Sequence, residues 1–296
     1  MMSAETLGFV LTGGLVLGAL YALMATGLAV VWTTLGIFNF AHGAFIAVGA
    51  YVAWQVGAAQ GFGLGPILGA LVAVAAMAAF GALAHLLLVR PFERRPEIVL
   101  LTVITTLAGA QIVESGLILT WGPRPKQIEP FVPGEASLGG VVLSWNEVVM
   151  LAVVAGALAA LGWFLRVRPL GRSMRAVAQN REAAQLMGLD VPRLYALAFA
   201  LSAAMAGLAG VFVGSTRFMS PAMGADPLLK ALVVVIFGGV ARFTSPIYAA
   251  FIVGMVEAFA TYWIGLYWTP AVLFALMIGV LVLKPEGLFG RKSRTV

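Results

Sequence analysis

The chain has 296 residues, 61% of them hydrophobic and 10% charged, with a net charge of +6 and a mean hydropathy of +1.01. A soluble domain is about 25% charged, so this composition excludes one and describes an α-helical membrane protein with many crossings; a transmembrane β-barrel would need short alternating strands, which the sequence lacks. With no cysteine, disulfides, thiolate chemistry and cysteine-ligated metals are excluded as well.

The first apolar segment covers about 7–32. It looks like a signal peptide only superficially: a basic n-region is missing, Glu5 stands near its start, and the run is too long for an h-region. It reads as the first membrane helix. The stretch that follows, "GIFNFAHGAF" at 36–45, leaves little length for a loop before the next apolar segment at about 41–58. Polar side chains in a bilayer cost free energy unless satisfied, so Asn39 and His42 are expected to turn inward. They hydrogen-bond to backbone freed at a helix break, with Gly36 and Gly43, or line a substrate route, with surface exposure near the cytoplasm as the third reading.

Apolar segments at about 66–89 and 98–120 flank a loop holding Arg90, Arg94 and Arg95, and His85 lies near this basic helix end, where it reads as interfacial. The 98–120 segment carries Thr102, Thr105, Thr106, Gln111 and Glu114. Gln111 and Glu114 are three apart and can face one side, with the threonines as a neighbouring polar patch. A carboxylate at the membrane centre costs roughly 2.5–3.5 kcal/mol, so Glu114 and Glu257 should face the bundle or water. These six residues are candidates for a polar lining. Backbone hydrogen bonding is the competing account of the threonines, and pairing with Lys230 or Arg242 that of the carboxylates.

The 121–146 connection sets Arg124 and Lys126 against Glu129, Glu135 and Glu147, includes Pro123, Pro125, Pro130 and Pro133, and fits the outer face. A segment at about 147–165 leads to the most basic loop, with Arg166, Arg168, Arg172, Arg175, Arg181 and Arg193. Within it, "SMRAVAQNREAAQLMG" is rich in helix formers and ends at Gly188, a plausible stop. Ala176, Ala183, Ala184 and Met187 would form a small-residue surface suited to a groove on a cytoplasmic partner; a headgroup-facing, solvated loop is the alternative.

The remaining apolar segments lie at about 194–216, 228–240, 246–264 and 267–283, before Lys284, Arg291, Lys292 and Arg294. The positive-inside rule makes the three basic regions cytoplasmic and accounts for the net charge without nucleic acid. The 228–240 segment would span about 20 Å of a ~30 Å core. Asp226 and Lys230, four apart, read as an ion pair at its start. Met219, Met223 and Trp268 mark an outer boundary. The expected fold is an all-α polytopic bundle, one domain over 1–296, with eight or nine spans, some interrupted, and a cytoplasmic coupling helix. Nine crossings would put the N-terminus outside. Many of the 35 glycines fall at small-xxx-small spacing, which lets membrane helices pack closely.

No phosphate-binding loop, nucleophile elbow or metal-ligating histidine pair is present, so ATP-driven work would be powered by another polypeptide. "EAAQLMG" at 182–188 matches the E-A-A-x-x-x-G core of the coupling loop of binding-protein-dependent ABC importers. Together with "FNFAHGAFIAVGAY", "ADPLLKALVVVIFGGV" and the terminal "KPEGLFG", in this order, it resembles the permease family of branched-chain amino acid ABC transporters, and its H-type subunit in particular. The resemblance covers about 8–290. Two departures stand out: Leu197-Ala198 where many other importers have Leu-Pro, and "GGVARFTSP" in place of G-G-x-G-S-x-x-G.

The resemblance implies a non-catalytic transport subunit, without a cofactor of its own, in the bacterial inner membrane. It also implies an M-type second permease subunit, two cytoplasmic ATPase subunits and an extracytoplasmic substrate-binding protein. Arg181, Glu182, Ala183, Ala184 and Gly188, in the loop at about 166–193, would form the ATPase-docking element. The implied cargo is branched-chain or other hydrophobic amino acids, with urea, short amides or aromatic acids as other cargo classes. A passive channel and a membrane-embedded enzyme are the rivals outside the importer class, and the lone His42 with scattered carboxylates does not supply the convergent catalytic set the enzyme would need.

Overall fold

Each apolar segment of the sequence forms a helix in the computed structural model, which describes residues 3–93, 95–138, 141–239 and 243–290. Arg94, Arg242 and the basic end with Arg291, Lys292 and Arg294 lie outside the described residues. Helix α1 (Ala4–Leu35) is capped by Ser3, whose hydroxyl accepts from the Thr6 N–H, and stops at Gly36, where φ of 75° closes it in the left-handed region. Being apolar all round, α1 is suited to the centre of the bundle. Helices α2 (His42–Gly57), α3 (Pro66–Ala84) and α4 (Ile98–Trp121) follow, with a π-helical turn (His85–Val89) extending α3.

After α5 (Trp145–Val167) the basic loop forms two helices, α6 (Pro169–Gln179) and α7 (Arg181–Leu186), and α8 (Val191–Thr216) returns through the bundle. Helices α9 (Ala225–Gly238), α10 (Ser245–Ile264) and α11 (Thr269–Leu283) complete the order. Helix α1 packs on α10, α8 and α9, and α8 packs on α2 and α3. Glycines allow these approaches: a Cβ on Gly254 would overlap the backbone of Gly18 between α10 and α1, and one on Gly49 the backbone of Gly207 between α2 and α8.

The chain is thus a polytopic helical membrane protein. Six helices among the described residues are long and apolar enough to cross a bilayer. The difference from the eight or nine expected crossings lies in α2, α9 and α11, which have 16, 14 and 15 residues against the ~20 a full crossing needs.

The all-α expectation needs one addition. Strands β1 (Glu135–Leu138) and β2 (Val141–Ser144) pair antiparallel in the 121–146 connection, with Glu135 opposite Ser144. Ser144 then opens α5 through a capping box with Glu147. Just before the hairpin, the Ile128 N–H donates to the Gly214 carbonyl (2.9 Å), and Lys126 and Met219 exchange backbone bonds. Val141 lies against Gly8. The start of α1, the end of α8 and the hairpin therefore share one end of the bundle.

Candidate functional site

The break between α1 and α2 meets the start of the short helix α9. In the break between α1 and α2, Asn39 Oδ1 accepts from the Ala41 N–H (3.0 Å), and the Asn39 carbonyl from the His42 N–H (3.2 Å). His42 is fully buried: Nε2 donates to the Met24 carbonyl on α1 (3.0 Å), so Nδ1 accepts from Ser202 Oγ on α8 (3.2 Å). One imidazole ties together α1, α2 and α8. Gly43, the residue after His42, faces the start of α9, where a Cβ would run into the Gly224 carbonyl.

Helix α4 lies beside this junction. Thr106 Oγ1 accepts from the Phe40 N–H (3.3 Å) and donates to the Thr102 carbonyl (2.7 Å), which draws the break onto α4. Thr105 donates to the Leu88 carbonyl (2.7 Å), and Thr102 is buried with no hydrogen-bond partner for its hydroxyl among the described residues. Gln111 and Glu114 lie further along α4. They line a cavity of about 180 Å³ with Phe40, Gly43, Pro221 and Leu228. The helix break, the carboxamide and carboxylate of α4, and the α9 start thus surround one space.

Glu257 is elsewhere. It is 4% exposed, accepts from the Tyr21 hydroxyl (2.5 Å) and pairs with Lys230 (2.9 Å), which also reaches Asp226 (3.2 Å). Of the partners considered for Glu257, Lys230 is found; Arg242 lies outside the described residues. Residues Tyr21, Asp226 and Lys230 border a second cavity, of about 160 Å³, with Leu17, Leu20, Met24, Val213 and Arg217. The first turns of α9 separate the two cavities. The sequence marked the i,i+4 pair but not Tyr21 or Ser202, because nothing local distinguishes a tyrosine or serine in an apolar helix. His85, read as interfacial, is buried and bonded to Glu93 (2.8 Å).

The basic loop corrects the single helix expected over 173–188. Asn180 adopts an extended conformation (φ −156°, ψ 107°), and its Oδ1 accepts from the Ala183 N–H (2.9 Å), capping α7 and breaking the path from α6. Helix α6 buries Gly171, Met174 and Val177 on the bundle. Arg181 reaches the Glu93 carbonyl (3.4 Å) and lies over the Tyr195 ring (5.4 Å), fastening α7 to its neighbours. Ala184 is buried and so leaves the outward surface expected of it. Glu182, Ala183 and Gly188 are exposed, and Leu186 and Met187 protrude at 89% and 83% exposure. Gly188, at φ 79°, ends the element as the sequence suggested.

No group of three or more His, Asp or Glu residues suited to holding a metal ion occurs among the described residues. The family model described as branched-chain amino acid transport system / permease component matches residues 10–281. The chain is 29% identical to the high-affinity branched-chain amino acid transport system permease protein LivH of Escherichia coli over 98% of both chains, and 29% identical to the permease protein BraD of the same kind of system in Pseudomonas aeruginosa over 95% of both. It is 26% identical to a probable branched-chain amino acid transport permease protein of Methanocaldococcus jannaschii, over 95% of this chain and 92% of that one. No solved structure matches significantly.

Proposed function

The chain belongs to the family of branched-chain amino acid transport system permease components, and from that premise we propose that it is the transmembrane permease subunit of a binding-protein-dependent ABC importer. Its cargo is branched-chain or other hydrophobic amino acids. It catalyses no covalent reaction. The partners are a second, M-type permease subunit, two cytoplasmic ATPases and an extracytoplasmic binding protein, and the assembly sits in the bacterial inner membrane. The whole of 1–296 acts as one transmembrane domain of nine crossings, with α2, α9 and α11 as the short ones. The end holding the hairpin and the start of α1 faces outward.

One observation carries the reading: α7 is fastened to the bundle through Arg181 while Leu186 and Met187 project from it. Exposed apolar side chains on a braced element supply anchors for a protein groove. Glu182, Ala183 and Gly188 lie on the docking side, and Arg181 and Ala184 brace it from behind. ATPase closure would move α6 and α7 as a lever on α5 and α8, and the bundle would rock between outward- and inward-facing states.

Gln111 and Glu114, beside the α2–α9 junction, form a polar wall of the route on one face of α9. Asn39, His42, Gly43 and the threonines of α4 hold that wall in shape, and Glu257 holds Lys230. The test is reconstitution of the complex in proteoliposomes with its binding protein. Stimulation of ATP hydrolysis by leucine-loaded binding protein, with uptake, is expected. Stimulation only by urea, an amide or an aromatic acid would keep the mechanism and overturn the cargo. No stimulation by any loaded binding protein would favour a passive channel.

A further inference from the structure

The 160 Å³ cavity between α1, α8 and α9 has a charge pattern that the helix break and the coupling element do not use. Its floor is apolar: Leu20, Tyr21 and Met24 are buried, and Leu17 and Val213 are partly so. Its charged groups separate into two poles. At one, Lys230 stands between Asp226, which lines the cavity, and the buried Glu257, so one amine meets two carboxyl groups. The Asp226 side chain is 65% exposed. At the other, Arg217 ends α8, is exposed, and makes no ion pair among the described residues. The volume equals roughly five water molecules, far below the ~300–1,000 Å³ of drug-sized pockets, and suits one small aliphatic molecule.

We infer that this cavity is a transit site for the zwitterion of an aliphatic α-amino acid, with the carboxylate at Arg217, the ammonium at Asp226 and the side chain on Leu17, Leu20, Met24 and Val213. The inference rests on the importer reading and narrows its cargo. Urea and short amides carry neither charge, and aromatic acids lack the ammonium. The site lies beside the first turn of the short helix α9, and transporters place substrate near the bilayer midplane beside interrupted helices. Burial of the apolar side chain supplies attraction, and the two poles set orientation.

The test uses the complete permease–ATPase complex in nanodiscs without binding protein. Three probes are titrated: leucine, 3-methylbutylamine (leucine without its carboxylate) and 4-methylpentanoate (leucine without its ammonium). Arg217→Gln and Asp226→Asn should each weaken leucine binding by about tenfold or more. Arg217→Gln should leave 3-methylbutylamine binding unchanged, and Asp226→Asn should leave 4-methylpentanoate binding unchanged. Both side chains are exposed, and Arg217→Lys and Asp226→Glu should recover part of the leucine affinity. Equal leucine affinity in the wild type and both variants, or no leucine binding by the wild type, overturns the site. If that happens while leucine-loaded binding protein still stimulates uptake, the importer reading stands without it. If no loaded binding protein stimulates hydrolysis, the importer reading itself has failed.

Discussion

Gly43 and Gly224 meet backbone to backbone: a Cβ on Gly43 would strike the Gly224 carbonyl, and a Cβ on Gly224 the Gly43 carbonyl. Two positions 181 residues apart in the chain are thereby held at a distance only glycine permits. The contact joins the break after α1 to the start of α9, so the two interrupted parts of the bundle form one junction beside Gln111 and Glu114.

Valine at either position should separate the helices. Overpacking of this kind costs about 1–3 kcal/mol, and a lower melting temperature of the purified protein is the expected readout. Gly156→Ala is the control, because nothing lies within 4 Å of a Cβ there. It should be neutral or stabilising by up to ~1 kcal/mol through helix propensity. Wild-type melting of Gly224→Val would show that the two backbones are not in contact.

His42→Ala removes two buried hydrogen bonds and leaves the Ser202 hydroxyl without its acceptor. A cost of about 1–3 kcal/mol is expected. Combined with Ser202→Ala the losses should be less than additive, as for residues in direct contact. Leucine uptake by the surviving protein should keep its KM. A raised KM with unchanged stability would instead put the imidazole on the substrate route.

Lys230→Met strands Glu257, which is buried with only the Tyr21 hydroxyl left to it. Removing one partner of a buried ion pair costs about 3–5 kcal/mol, whereas removing both is often nearly neutral. Lys230→Met with Glu257→Gln should therefore recover much of the melting temperature lost in the single variant. Equal melting of the single and double variants would contradict the pairing.

For the coupling element the expected effect is on energy transfer rather than folding. Leu186→Asp with Met187→Asp should cost about 2 kcal/mol or more of ATPase docking, since both side chains protrude and act as anchors. Glu182→Lys should weaken docking, and Gly188→Pro should reshape the element because proline cannot adopt φ 79°. Melting of the permease should stay at the wild-type value while binding-protein-stimulated ATP hydrolysis falls. Undiminished hydrolysis in all three would place the docking surface elsewhere.

Much of the architecture was legible in the chain itself. Hydropathy is a local property, and a bilayer demands that backbone groups be satisfied within each apolar segment, so the positions of the helices follow from composition alone. The helix stop at Gly188 and the pair Asp226–Lys230 were legible for the same reason, since each depends on neighbours within a turn. Tertiary structure alone decided which of these features meet. It set Gly43 against Gly224, put Tyr21 and Lys230 on Glu257, and turned Ala184 toward the bundle after Asn180 broke the helix. Those contacts join residues from distant segments. In a sequence this uniformly apolar, periodicity does not say which face of a helix meets which neighbour; close packing and the pairing of buried polar groups do.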